Sequence, residues 1–178
     1  MDKPSLNIVR AADIAAHAQD FSHPWNVNSE MRGTQLARSV GLKRTGVNII
    51  RVPTGKESYV YHSHQYEEEW IYVLSGRAIA LIDDAEYEVD AGDFIGFPAP
   101  SVAHLMRNPG PEDLVYLCGG ESREFEIADF PKLGKRMVRT GKQVDVYDAG
   151  DAQPELPCHG ESGSKAWRRE SGPETWGR

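Results

Sequence analysis

Cysteine is scarce in this sequence, and a long apolar run is absent. Cys118 and Cys158 are the only 2 cysteines among 178 residues, so we expect no disulfide framework and predict a reducing, cytoplasmic location. No segment approaches the roughly 20 apolar residues that a membrane-spanning helix needs. The first residues also lack the apolar core of a secretory signal.

A surplus of positive charge is missing too. The sequence carries 20 Lys and Arg against 27 Asp and Glu, which gives a formal net charge of −7. Because the phosphate backbone of nucleic acid binds to basic surfaces, this balance argues against nonspecific nucleic-acid binding. We therefore expect a small-molecule ligand, with no nucleic-acid partner and no membrane partner.

Turn-forming residues are abundant, with 17 glycines and 11 prolines, and they separate many short apolar segments. Residues 11–19 predict a short helix with Ile14 on its buried side. From Thr34 onward the pattern is typical of strands. The predicted strands are TQLARSVG, GVNIIRVPTG, SYVYHSH, EWIYVLSG, RAIALID, EYEVD, DFIGF and LVYLCGG. This spacing predicts an all-β fold, an antiparallel sandwich or barrel.

A single domain with peripheral arms fits the length of the chain. The predicted divisions are an N-terminal arm with the short helix at 1–33, a barrel core at 34–121, peripheral strands at 122–148 and a polar tail at 149–178. The tail is rich in Gly, Ser and Pro, and Trp167 and Trp176 are its only large apolar residues. It is interpreted either as disordered or as an arm whose tryptophans dock on a neighbouring subunit.

Two histidines and an acid flank one predicted turn. If residues 59–64 form a strand, His62 and His64 point to the same face, because side chains alternate along a strand. If residues 65–68 form a turn, Glu69 returns opposite the two imidazoles. Apolar neighbours cannot stabilise a buried carboxylate, whereas a divalent cation held by Glu69 and two neutral imidazoles would do so.

A third imidazole is available from His104. It follows a strand and a Pro-rich turn within residues 92–108, and an antiparallel return would bring it beside the first pair. The predicted metal ligands are therefore His62, His64, Glu69 and His104. Three nitrogens and one hard oxygen suit one divalent transition metal ion, such as Zn, Fe, Mn or Ni, and leave positions open for water or substrate.

These residues resemble the two motifs of the cupin superfamily. The pattern Gly55-x6-His62-x-His64-x4-Glu69-x6-Gly76 is similar to the first motif, with one extra residue before His62. The pattern Gly92-x5-Pro98-x-Pro100-x3-His104-x3-Asn108 is similar to the second. In the second motif Pro100 stands where the family usually has glycine, and one residue is added before the histidine, which predicts a changed turn before His104.

The resemblance implies a fold, an assembly and a range of activities. It implies a small double-stranded β-helix, or jelly-roll barrel, with a metal in its mouth, and a homodimer that pairs through outer strands and terminal arms. It does not select a reaction, because cupins include dioxygenases, isomerases, decarboxylases, epimerases and noncatalytic binding modules. We expect an oxygenase or isomerase acting on a small oxygen-rich or aromatic molecule. The alternative is a noncatalytic metal-dependent binding or sensing module.

An apolar cup is predicted around the ion. By strand parity, each of four apolar side chains shares a face with one of the predicted ligands. The predicted pocket-lining residues are Val60, Ile71, Val73 and Met106. The pattern identifies no catalytic acid or base besides the ligands.

Two alternatives for the site stay open. A shifted register would make Glu68 the ligand, although the six residues between Glu69 and Gly76 favour Glu69. A polar cluster held by hydrogen bonds without metal is the other alternative.

Other polar residues are assigned simpler roles. Glu67 and Glu68 are interpreted as turn charges that face solvent, and His23 as a surface residue. Cys118 lies in an apolar strand and is predicted to pack as a small hydrophobe. The Cys158-His159 pair has no orienting partner in its polar surroundings, so we do not predict catalysis there.

Overall fold

The structure is a computed structural model that describes residues 7–151, and the tail with Trp167, Trp176 and the Cys158-His159 pair lies outside the described residues. Two short α-helices and thirteen strands make up most of this part of the chain. The helices are α1 (Ala11–Ala16) and α2 (Leu36–Ser39). The strands are β1 (Gln19–Phe21), β2 (Met31–Gln35), β3 (Thr45–Val52), β4 (Ser63–His64), β5 (Glu69–Ser75), β6 (Arg77–Ile82), β7 (Ala85–Asp90), β8 (Phe94–Phe97), β9 (His104–Arg107), β10 (Leu114–Glu121), β11 (Phe125–Phe130), β12 (Lys135–Thr140) and β13 (Gln143–Asp148).

The strands form three sheets, and every strand pair within them is antiparallel. The six-stranded sheet has the order β1-β2-β3-β10-β5-β8, the four-stranded sheet β13-β12-β11-β4, and the three-stranded sheet β7-β6-β9. The predicted all-β antiparallel class is confirmed. Within the described residues no helix is long and apolar enough to cross a membrane.

Two tight turns show how local sequence sets this topology. Asp83 and Asp84 join β6 to β7 with φ values of 49° and 61°, and two consecutive positive φ values match the twist of a two-residue hairpin. Gly76 joins β5 to β6 with φ 83°, and a Cβ there would lie 2.7 Å from the carbonyl oxygen of Asp113. Only glycine satisfies both the backbone angle and the close approach.

Two predicted strands are shorter in the structure. The segment from Thr34 to Gly41 leaves the sheet after Gln35 and turns into α2, whose Ala37 is buried. Leu, Ala and Arg have high helix propensity, which favours the helical turn here. In the segment around His62 only Ser63 and His64 form a strand, since the preceding residues make isolated bridges instead.

The main core lies between the six-stranded and three-stranded sheets. Its buried members are Met31, Val52, Ile71, Val73, Ala78, Ala80, Phe97, Met106, Leu114 and Tyr116. A second, smaller cluster contains Val60, Ala128 and Phe130, with Met137 packed against it. The first cluster supports β5 and β9 from below, and the second supports the turn that carries His62.

Candidate metal centre

Two reciprocal backbone hydrogen bonds place His62 beside His104. The His104 N–H donates to the His62 carbonyl oxygen at 2.8 Å, and the His62 N–H donates to the His104 carbonyl oxygen at 3.2 Å. Ser101 fixes the neighbouring histidine, because its hydroxyl accepts from the His64 N–H at 2.8 Å. The Ala99–Pro100 peptide bond in this turn is cis. His104 therefore lies beside His62 and His64, although the turn before it departs from the usual second motif.

Glu69 is the point on which the three rings converge. It opens β5 and pairs with Phe97 on one side and Gly120 on the other. Its Oε2 lies 3.2 Å from the Nε2 of His64, 3.2 Å from the Nε2 of His104 and 3.8 Å from the Nε2 of His62. The four predicted ligands are therefore brought together around one carboxylate oxygen.

Hydrogen bonds to the far side of the rings set which nitrogen is free. His62 Nδ1 donates to the Val60 carbonyl oxygen at 2.7 Å, and His104 Nδ1 donates to the Val102 carbonyl oxygen at 3.1 Å. Each of these bonds leaves the Nε2 lone pair free and pointing at Glu69. Phe97 stacks on His104 with a centroid distance of 3.7 Å and an angle of 10°, which restricts the tilt of that ring.

The local electrostatics favour a neutral imidazole beside an anion. Burial lowers the pKa of His62 to about 4, although Glu69 acts in the opposite direction. Burial alone would raise the pKa of Glu69, but the neighbouring imidazoles of His104, His64 and His62 outweigh it and hold that pKa well below its ordinary value. At neutral pH, His62 is neutral and Glu69 is ionised, which are the forms that bind a cation.

His64 differs from His62 in its electrostatics. Burial lowers its pKa, but the hydrogen bond and charge of Glu69, together with two further carboxylates, outweigh burial and raise the pKa above its ordinary value. Burial is the largest single cause and Glu69 the next, but the carboxylates together have a larger effect on the pKa than burial. His64 is thus the imidazole most strongly surrounded by negative charge.

The donor set fits a metal ion. Bonds of about 2.0–2.2 Å to one ion place neighbouring donor atoms about 3.0–3.5 Å apart. The contacts to Glu69 Oε2 span 3.2–3.8 Å, and the donors of His62, Glu69 and His104 all lie within 4.8 Å of one another. These residues could hold a divalent ion, and the side chain of Glu69, 24% exposed, leaves the pocket reachable from solvent.

The predicted pocket wall divides between two clusters. Ile71, Val73 and Met106 belong to the main core. Val60 packs in the second cluster with Ala128 and Phe130, and contributes its carbonyl oxygen to His62. The predicted wall residues therefore belong to both clusters.

Sequence reasoning missed one buried acid and misplaced another. Glu126 on β11 is fully buried, and its Oε1 lies 3.5 Å from His64 Nδ1. The signal was present, because Glu126 has the inward parity of Ala128 and Phe130. Glu67 was predicted to face solvent, which is wrong: it is 8% exposed and pairs with Arg139, whereas Glu68 is exposed as predicted.

Aromatic side chains from the N-terminal arm also reach the site. The Tyr59 ring lies 6.0 Å from the His62 ring and contacts Phe21 at 5.1 Å and His23 at 5.4 Å. Trp25 packs edge-on against Phe130 at 5.2 Å, and Phe130 stacks near His62 at 6.4 Å. His23 is therefore half-buried rather than a surface residue, and burial lowers its pKa.

The strand thiol is shielded from ionisation. Burial raises the pKa of Cys118 to about 12, with a smaller effect from Glu69 in the same direction. The Asn48 amide lies 3.8 Å from its sulfur. Cys118 is thus a protonated, half-buried thiol on β10, in keeping with its predicted role in packing.

The comparisons with known proteins point to one family. The cupin domain model matches residues 48–120, the segment that contains all four predicted ligands. An uncharacterised protein of Methanocaldococcus jannaschii is 36% identical over 78 residues, which are 44% of this chain. The chain spans 60% of the length of that relative.

Solved structures extend the similarity beyond the matched segment. A candidate sugar phosphate isomerase of Acidithiobacillus ferrooxidans has a TM-score of 0.80 and 33% identity, over 84% of this chain and 96% of its own. A sugar phosphate isomerase of the cupin superfamily from Silicibacter pomeroyi has a TM-score of 0.69 over 79% and 94% of the two chains. At 18% identity, the second likeness concerns the fold alone.

Proposed function

The chain belongs to the cupin superfamily, as its two motifs predicted, and we propose that it is a metal-dependent isomerase of small phosphorylated sugars. The observation that carries this proposal is the convergence of three imidazole Nε2 atoms on Glu69 Oε2 within 3.8 Å. Such a set binds one divalent ion, Zn, Fe, Mn or Ni, and leaves coordination positions for substrate oxygens.

The choice of reaction is supported by the relative from Acidithiobacillus ferrooxidans. It is a candidate sugar phosphate isomerase and aligns with 84% of this chain at 33% identity. A sugar phosphate is also an oxygen-rich small molecule, which is the class predicted for this site. The isomerase is therefore favoured over the oxygenase that the sequence left open.

The rim of the site offers surfaces that suit a sugar phosphate. Phe21, Trp25 and Tyr59 are 43%, 36% and 46% exposed, and their rings present apolar faces on which sugar carbons pack. The Lys135 ammonium lies 6.0 Å from the Trp25 ring and pairs with Asp148 at 2.6 Å, so it would bind a phosphate by exchanging one anion for another.

The chemistry requires two proton shifts. Conversion of an aldose to a ketose moves one proton from C2 to C1 and the hydroxyl proton from O2 to O1. A bound divalent ion would act as a Lewis acid on these two oxygens. The residues around it hold the substrate, exclude water and keep Glu69 ionised.

Tyr59 is the proposed hydrogen-bond donor to the substrate. Burial raises its pKa, with smaller contributions from Cys118 and Glu69, so its Oη stays protonated at neutral pH. Among the described residues the Tyr59 hydroxyl has no hydrogen-bond partner. Its proton is therefore available to a substrate oxygen close to His62, and packing against Phe21 holds the ring in place.

The test is interconversion of sugar phosphates by the metal-loaded protein. Ribose, arabinose, glucose and mannose phosphates are incubated separately in deuterated water, and proton NMR follows the ketose products and the loss of the C2 proton signal. We expect turnover of at least one of them by the wild type. His62→Ala should lose both the metal and turnover.

Tyr59→Phe separates chemistry from metal binding. Loss of a positioned proton donor should lower kcat by roughly 10²-fold while metal content stays unchanged. Tyr72→Phe is the matched control, since Tyr72 is 39% exposed on the opposite face of β5 from Glu69, and its activity should be normal. A protein that holds metal and binds a sugar phosphate without converting it would instead be the noncatalytic binding module.

A further inference from the structure

The three imidazoles of the site are not equivalent on their far sides. His62 and His104 each donate Nδ1–H to a main-chain carbonyl oxygen, at 2.7 and 3.1 Å. His64 has no such carbonyl, and its Nδ1 is buried without a hydrogen-bond partner among the described residues. The polar atom beside it is Glu126 Oε1, at 3.5 Å.

Glu126 is in turn an incompletely paired carboxylate. Its side chain is fully buried. Its Oε1 accepts the backbone N–H groups of Gln65 at 2.9 Å and Tyr66 at 3.3 Å, but its Oε2 has no hydrogen-bond partner among the described residues. A buried charge with an open acceptor is costly, so a retained one needs a partner.

Strand pairing holds the side chains of His64 and Glu126 close together. Ala128 of β11 is the register partner of His64 on β4, and Glu126 lies two residues before Ala128 on the same face. The backbone of Glu126 therefore stays beside that of His64 as long as this pairing holds. Glu126 lies outside residues 48–120, the part of the chain that matches the family model.

We propose that Glu126 is a positioning residue for the metal site, which accepts the Nδ1–H of His64 and so orients and strengthens this ligand. When Nε2 of an imidazole binds a cation, its Nδ1–H becomes a stronger donor, and a carboxylate is a stronger acceptor than a carbonyl. The negative charge of Glu126 makes His64 the most strongly donating of the three imidazoles.

The inference rests on the proposed metal site and not on the isomerase reaction. Its test is therefore metal binding by the full chain, with Co²⁺ and Zn²⁺ alone as probes. Affinity is measured by titration in competition with a chromophoric chelator, and Co²⁺ absorption bands report the ligand field. The stability of each metal-free variant is measured by thermal unfolding.

Glu126→Gln is the decisive variant. Glutamine keeps the size of the side chain and the acceptor for Gln65, but removes the charge. We expect a 10- to 100-fold weaker metal affinity and shifted Co²⁺ bands, in line with other outer-shell carboxylates. Since a buried unpaired charge is removed, the metal-free variant should be as stable as the wild type or more so, whereas a purely structural role would lower its Tm.

Glu67→Gln is the matched control. Glu67 is also a buried acid near His64, but it is bound to Arg139 and accepts the Arg123 N–H, so its loss removes charge without removing a partner of His64. We expect less than a threefold change in metal affinity. Glu126→Asp keeps the charge but moves it away from His64, because the aspartate side chain is shorter. Its metal affinity should fall between those of the wild type and Glu126→Gln.

Three outcomes would overturn the inference. Equal affinities for the wild type and Glu126→Gln would remove the role of Glu126 and leave the metal site standing. Two ions per chain, reduced to one in Glu126→Gln, would show a second cation between His64 and Glu126 in place of the proton. A wild type that binds neither Co²⁺ nor Zn²⁺ would remove the metal site itself.

Discussion

At the scale of the residue, the face-to-face pair of Phe97 and His104 has the closest ring contact at the site, with centroids 3.7 Å apart. His104 is only 4% exposed, so its ring has little freedom except along the face of Phe97. Phe97 thus restricts the orientation of the His104 ring together with the hydrogen bond from its Nδ1 to the Val102 carbonyl oxygen.

Phe97→Leu tests this stacking. Leucine keeps the site apolar but lets the His104 ring tilt, and loss of a ring pair is worth about 0.5–1.5 kcal/mol. We expect Co²⁺ affinity to fall by about two- to tenfold in the same competition titration. Phe94→Leu is the control on the same strand, because Phe94 is 65% exposed and stacks on Trp70 away from the ligands. An equal effect of both variants would contradict the role of the stack.

The ion pair of Asp129 and Arg136 should give a defined pH dependence of stability. Hydrogen bonds from Arg136 at 2.6 and 2.8 Å hold the pKa of Asp129 below its ordinary value of 3.8. Because the folded state has the lower pKa, the stabilisation is fully present above a pH of about 4 and is lost as pH falls through the folded-state value.

Asp129→Asn should therefore be destabilised at pH 7 but not in acid. Arg136 is half exposed, so the expected loss at pH 7 is about 0.2–1 kcal/mol. Urea unfolding at pH 7 and at pH 2.5 measures the difference between the variant and the wild type. A difference that persists unchanged at pH 2.5 would mean that the carboxylate charge is not its cause.

Single residues also show where sequence reasoning stops. The spacing of His62, His64 and Glu69 was enough to predict that they meet, since strand alternation and one turn decide it. The burial of Glu67 and Glu126 was not predictable in this way. Both depend on β11 and β12, which come much later in the chain and cover the turn after β4.

At the scale of the element, β10 is the strand on which the position of Glu69 depends. It lies between β3 and β5, and its Gly119 and Gly120 face Trp70 and Glu69. A Cβ on Gly120 would clash with the Glu68 carbonyl oxygen and lie 3.2 Å from Glu69 Cα. The absence of a side chain at Gly120 is thus what lets β5 begin with Glu69 in place.

Gly120→Ala should disturb both the fold and the site. Since the contact is with backbone, β5 must shift, which costs about 1–3 kcal/mol in stability and moves Glu69 away from the imidazoles. We expect a lower urea midpoint together with weaker Co²⁺ binding. Gly46→Ala is the control on the facing strand, because a Cβ there meets nothing within 4 Å, and it should be nearly neutral.

The turns between the predicted strands were more readily predicted than the lengths of the strands. The glycine and aspartate turns around β5, β6 and β7 have strong local signals, and the structure follows them. The helix α2 was predicted as strand, because apolar residues over so short a run do not distinguish the two periods. β4 was predicted too long, since its partner β11 reaches it at only two register positions.

At the scale of the whole molecule, metal removal should lower thermal stability. An ion that binds only the folded chain stabilises it by about 2.7 kcal/mol at a free concentration of 100 times its Kd. For a chain of this size, that corresponds to a Tm difference of roughly 5–11 °C between the loaded and the chelator-treated protein. His62→Ala should show the same Tm under both conditions. A wild-type Tm that is the same with and without the chelator would contradict the metal site.

The assembly is proposed to be a homodimer. Exposed apolar side chains on outer strands, among them Phe94, Val146 and Tyr147, supply surface for pairing of two copies. Light scattering coupled to size exclusion should give twice the 19.8 kDa of one chain. A mass of one chain over the whole micromolar range would remove the proposal.

The fold of the whole molecule was predictable because the motifs carry it. Two sets of spaced residues, Gly55 to Gly76 and Gly92 to Asn108, fall within the segment that matches the cupin domain, and that prediction is confirmed. Residues 122–148 were predicted only as peripheral strands. Parity along β11 indicates that Glu126 shares the face of Ala128 and Phe130, but its approach to His64 depends on the tertiary pairing of β11 with β4.

The predicted ligands come from three different sheets. Glu69 lies on β5 of the six-stranded sheet, His64 on β4 of the four-stranded sheet and His104 on β9 of the three-stranded sheet. One bound ion would therefore join all three sheets at a single point, and none of the sheets could separate there without releasing the ion. Amide-proton exchange in all three sheets should slow together when the ion binds, because the ion transmits a change in one sheet to the other two.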